Sequence, residues 1–147
     1  MIKEDYVSLE TARLLKDKGF RCVTNRYYNA QYDEIGTVSD TFMMDWNDAK
    51  YMKHLGMEGA VAIPTLQMVV KCLDERGIYI SAVPFDIMQR VSDKIVRFTA
   101  NVFVRHPDYL DNLTIGVFDS RQEATNAAIL YVLNSLESLT IYSSQNP

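Results

Sequence analysis

Cysteine and histidine are scarce here, two of each, and they are scattered. His54 and His106 belong to no spaced set of His, Cys or carboxylates such as a zinc site needs. Both read as solvent-facing residues, one near a helix end and one in a proline turn. Cys22 and Cys72 read as small buried hydrophobes rather than a disulfide pair, because a reducing compartment keeps scattered thiols apart. A glycine-rich phosphate loop, a nucleophile elbow and a GxGxxG run are also missing. No metal, no cofactor and no catalytic constellation is therefore expected.

Long apolar runs are absent as well. The longest, Ala127–Leu133, falls far short of the roughly 20 residues that cross a bilayer. The chain opens on Met1, Ile2, Lys3, Glu4 and Asp5, with acids where a secretory signal carries a basic end and an apolar block. A cytoplasmic location without membrane association follows as an expectation, under which the sequon Asn112-Leu113-Thr114 has no glycan to accept. Basic charge is short too. The net charge is −4, which disfavours non-specific attraction to nucleic acid or anionic lipid.

What is present is an ordinary globular composition, 48% apolar and 23% charged, in a chain of 147 residues. That is one domain's worth of sequence, with enough apolar surface for a core. Residues 1–147 are read as a single domain with an irregular acidic segment at 29–63. Ser8 is placed as an N-cap, Glu10 follows in the first turn, and Gly19 terminates the helix behind Lys16 and Lys18. Val7 and Ala12 are spaced as a hydrophobic staple. A second helix opens at Pro64-Thr65, carries Leu66, Val69, Val70 and Leu73 on one stripe, and stops at Gly77. Ser120 and Glu123 form a capping box ahead of a third, with Ala124, Ala127, Ala128, Tyr131, Val132 and Leu136 assigned to its buried side.

Alternation predicts strands over Phe20–Tyr28, Ile78–Phe85, Val96–Val104 and Leu113–Phe118, with Pro84 marking an edge and His106-Pro107-Asp108 a break. Helices and strands do not alternate as βαβ units. The expected fold is α+β: an antiparallel sheet with about three helices packed mainly on one face. Its core is expected from Leu15, Phe20, Leu66, Val69, Val70, Leu73, Val96, Phe98, Val102, Ala128, Tyr131, Val132 and Leu136.

Inside the acidic segment, Phe42, Met43, Met44, Trp46, Tyr51, Met52 and Met57 crowd together. Methionine gives adaptable contact and aromatics dominate binding hot spots, so the cluster is a candidate partner-binding surface for another protein or a second copy. The competing reading is a short helix at Asn47–Leu55 that folds Trp46, Tyr51 and Met52 onto the sheet. Asp33, Glu34, Asp40, Asp45 and Asp48 read as a solvated acidic loop rather than as general acids or cation ligands.

Three runs, Tyr6–Phe20, Pro64–Leu73 and Ser120–Leu136, resemble in sequence and order a group of small uncharacterised proteins of prophages and other mobile elements in anaerobic gut bacteria. They cover roughly a third of the chain. Cys72 departs from that group, which carries a large aromatic there, and Asn29–Ile63 has no counterpart. The resemblance implies a shared core and a mobile-element origin. It transfers no functional residue, as the group has no established activity.

The expected function is non-enzymatic protein–protein interaction, as an accessory protein. The alternative is a nucleic-acid-binding regulator. Ser8–Leu15 is similar in pattern to the first helix of helix-turn-helix excisionases, and the Pro64 helix with the strands after it suits a recognition helix and wing. A sheet-face version uses Arg97 and Arg105, with Thr99, Asn101 and Phe103 between them. More than forty residues separate the two helices, where such motifs use a short turn.

Overall fold

The computed structural model of the chain describes residues 5–85, 97–105 and 110–135. Contacts divide the chain into two compact units, residues 1–65 with 133–147 and residues 66–132, where the sequence pattern marks no boundary. The fold is α+β; among the described residues it has four α-helices and two three-stranded antiparallel sheets, where one sheet is expected.

The first unit begins with α1 (Leu9–Asp17). Ser8 Oγ accepts from the Thr11 N–H at 3.2 Å, so the cap forms as its sequence requires. Val7 and Ala12 are both buried at the staple positions. Gly19, at φ +86°, lets the chain turn so that its own N–H reaches the Lys16 carbonyl and that of Phe20 reaches Leu15. Phe20, buried just past the turn, completes a Schellman stop.

Phe20–Asn25 alternates in burial as predicted: Phe20 and Thr24 face in, while Arg21 and Val23 face out. Only Thr24 forms a bridge there, to Met44. The ladder proper is β1 (Arg26–Asn29), flanked by β2 (Glu34–Thr37) and β3 (Val61–Ala62).

The segment 29–63 is thus not irregular. It holds two strands, a 3-10 turn at Asp40–Phe42, and α2 (Ala49–His54), which sits inside the helix expected at Asn47–Leu55. The strands escape a period-two reading because β2 is mostly exposed and β3 has only two residues, both buried.

In the second unit α3 (Leu66–Asp74) buries Leu66, Val69 and Leu73, with Val70 half-buried, and Gly77 follows at φ +79°. Three strands succeed it: β4 (Ile78–Phe85), β5 (Arg97–Arg105) and β6 (Leu110–Phe118), in that spatial order. Pro84 lies on an edge strand, where its missing N–H costs no ladder bond. Ala100 and Val102 are buried on one face of β5; Phe98 and Val104 are half-buried.

Strand β6 starts three residues earlier than predicted. Between Phe98 and Ala100 its register slips by one residue, where Gly116 sits at φ +48°. This is a bulge of the kind that glycine permits. Thr99, predicted on the polar face, is buried there and donates from Oγ1 to the Gly116 carbonyl at 2.7 Å.

Ser120 caps α4 (Arg121–Ser135) by accepting from the Glu123 N–H at 3.0 Å. Arg121 anchors the start of the helix to the sheet, donating to the Ala82 carbonyl and lying over the Phe98 ring. The buried side of α4 is Ala124, Ala128, Ile129, Val132 and Leu133, while Tyr131 is 46% exposed. Placing Tyr131 in the core is therefore incorrect. Residues 127–133 are apolar all round the helix, so periodicity does not choose a face there. Val96, Leu136 and the His106-Pro107-Asp108 break lie outside the described residues.

The two faces of α4 separate experimentally. Ile129→Ala is expected to cost about 2–5 kcal/mol in urea unfolding. Tyr131→Ala should cost under about 1 kcal/mol.

Candidate partner-binding surface

The segment joining β2 to β3 is built around two consecutive residues. Trp46 is 3% exposed; its indole lies 4.1 Å from the Tyr27 ring, stacked at 20°, and Nε1 donates to the Thr24 carbonyl at 2.7 Å. The stack and the hydrogen bond together remove a large ring and its one donor from water without leaving the donor unmet.

Asn47, also buried, uses both ends of its amide: Nδ2 donates to the Phe20 carbonyl at 2.9 Å and Oδ1 accepts from the Ala62 N–H at 2.9 Å. Met52 (1% exposed), Ala60 and Ala62 close the cluster, against which Cys22, Tyr27, Val38, Met44 and Met57 pack. Tyr27 also crosses its neighbour strand closely, for a Cβ on Gly36 would come within 2.6 Å of its ring.

These contacts split the predicted partner surface. Trp46 and Met52 are core and unavailable to a partner, which corrects their assignment. Met44 and Met57 pack on that core, and Met43 is half-buried. Phe42, on the 3-10 turn, is 63% exposed, and Tyr51, on α2, is 46% exposed. Leu55 is exposed too and follows Tyr51 by four residues, so the two share one side of the helix. Asn47 was missed by sequence reasoning. No local pattern signals it, because both of its bonds go to backbone far away in the sequence.

The acids of this segment are mostly engaged locally. Asp45 accepts from the Asn47 N–H at 3.0 Å and pairs with Arg21. Asp48 caps α2 by accepting from the Tyr51 N–H at 3.1 Å and lies 3.5 Å from the same guanidinium. Asp33, at φ +51°, accepts from the Tyr28 hydroxyl at 2.6 Å. Among the described residues no group of three His, Cys, Asp or Glu side chains is placed to hold a metal ion. His54 is exposed in the last turn of α2; His106 lies outside the described residues. Both cysteines are free, and burial pushes the Cys72 thiol above its ordinary value.

For nucleic acid, α1 runs into strands rather than into a turn and second helix, so no helix-turn-helix forms there. Arg97 and Arg105 are exposed at the two ends of β5, roughly 26 Å apart by strand rise. The side chains between them do not form an open row, since Thr99 is buried and Asn101 and Phe103 are half-buried.

No helix among the described residues is long and apolar enough to cross a membrane. No protein family, curated protein or solved structure matches the chain.

Two measurements probe this region. Asn47→Ala strands a buried carbonyl and a buried N–H, and is expected to cost about 2–5 kcal/mol in urea unfolding. The second is a pH titration. The hydrogen bond to Asp33, then burial, raises the Tyr28 phenol above its ordinary value. The unfolded chain therefore ionises first as pH rises: the stabilisation is complete below the ordinary phenol value of about 10 and is lost as pH climbs through the folded one. The tyrosinate absorbance of Tyr28, taken as the difference between the wild type and Tyr28→Phe, should appear above that ordinary value, and Asp33→Gly should lower it.

Proposed function

We propose that the chain works by binding a protein partner rather than by catalysis, as a cytoplasmic accessory protein of a prophage or other mobile element. The observation that carries this reading is the fixed presentation of Phe42 and Tyr51. The segment bearing them buries Trp46 and Met52 completely and closes its polar groups through Asn47 and Asp48, yet leaves these two aromatics outside.

Aromatic side chains held by a rigid support contribute contact area with little entropy left to lose. Their surroundings, residues 31–65, carry six acids against two bases, which suits a partner with basic side chains around an apolar pocket. The mobile-element context rests on the resemblance of Tyr6–Phe20, Pro64–Leu73 and Ser120–Leu136.

The test is a photoreactive phenylalanine at position 42 or 51, introduced in the native host. A discrete adduct from position 42 that disappears when Tyr51 is changed to Ser is the expected result. Phe42→Ala with Tyr51→Ala should weaken retention of that partner by about tenfold or more and leave the melting temperature unchanged. No adduct from either position would overturn the reading.

A further inference from the structure

We propose that the chain pairs with a second copy of itself along β6, edge to edge and antiparallel, in a register centred on Leu113. This goes beyond the partner reading above and does not depend on it. Among the described residues the second sheet has two edges, β4 and β6. The β4 edge carries Pro84, which has no N–H to offer a further strand.

The β6 edge is lightly protected. It holds no proline, lysine or arginine in nine residues; its one charge is Asp111, and its bulge at Gly116 lies beyond the regular stretch Asp111–Ile115. Asp111, Asn112, Leu113 and Thr114 are all exposed.

Leu113 is 43% exposed although it stands opposite Val102, one of the most buried residues of the sheet. The apolar face that Ala100 and Val102 bury therefore continues to the edge, and among the described residues no further strand follows it there. A second copy of the same strand, related by a two-fold axis, continues it.

The register follows from the shape of the strand. Pairing across a two-fold axis perpendicular to a sheet must centre on one residue, because paired residues share a face. The Gly116 bulge ends the regular stretch on one side, and centring on Leu113 pairs all of Asp111–Ile115. Leu113 then meets Leu113 of the second copy, Asn112 meets Thr114, and Asp111 meets Ile115. No like charges face each other. The two Asp111 carboxylates fall about 13 Å apart along the strands, beyond the screening length at physiological salt.

Light scattering on the full chain tests the proposal. The wild type is expected to reach twice the chain mass across a micromolar concentration series. Leu113→Lys and Leu113→Glu, each placing like charges on the axis, should each stay at the chain mass with unchanged circular dichroism. An equal mixture of the two should recover the doubled mass.

Amide exchange on the wild type gives a reading free of variants: protection over Asp111–Ile115 should rise with concentration. A wild type that stays at the chain mass would overturn the proposal. So would a doubled mass that survives both charged variants, a mixture that does not recover, or exchange at Asp111–Ile115 that ignores concentration.

Discussion

The carbonyl of Phe20 and the N–H of Ala62 lie in the interior of the first unit, and the three-stranded sheet gives neither of them a ladder partner; the Thr24 carbonyl accepts the Met44 N–H at 3.4 Å and has room for a second donor. A buried backbone group without a partner costs more than most single contacts return. Asn47 supplies both missing partners, and Trp46 beside it adds a second donor to Thr24. The two ends of the Asn47 amide close Phe20 and Ala62, and the indole bonds the Thr24 carbonyl at 2.7 Å. The strand after α1, the loop before α2 and the entry to β3 are tied at one place, and the apolar cluster around Met52 packs against a backbone already satisfied.

The same economy explains the acids. Asp45 and Asp48 bring negative charge to backbone N–H groups at the start of α2 and to the guanidinium of Arg21. Carboxylates placed this way shape the loop as well as keep it wet. An acidic stretch that reads in sequence as solvated filler is, in part, a set of local anchors. Among what it leaves outside are the aromatics Phe42 and Tyr51.

Much of the scaffold was legible because its signals are local. Ser8, Gly19, Gly77 and Ser120 mark helix ends by chemistry that acts within a few residues, and each sits where that chemistry predicts. The β5 strand was legible because five apolar residues alternate without interruption. Two features were not legible. The face of α4 was hidden because Ala127–Leu133 is apolar all round, so burying Ile129 and Leu133 instead of Tyr131 is a tertiary choice.

The division into two sheets was also hidden, because β2 and β3 are too short to show a period. At the candidate site, the excess of methionine and aromatic residues was visible, but composition alone does not say which of them face inward. That was decided by a donor on Trp46 and an amide on Asn47, both acting over distances in sequence that periodicity does not reach.

Gly36 lies close against the ring of Tyr27, and that ring is stacked on Trp46. Any side chain at position 36 displaces the phenol from its stack, and any smaller residue at position 46 removes what the phenol stacks on. The three positions therefore cannot drift one at a time. A lineage descending from this chain would keep the trio together or exchange it in a single concerted step, while outward residues such as Val23 and Tyr32 meet no such constraint.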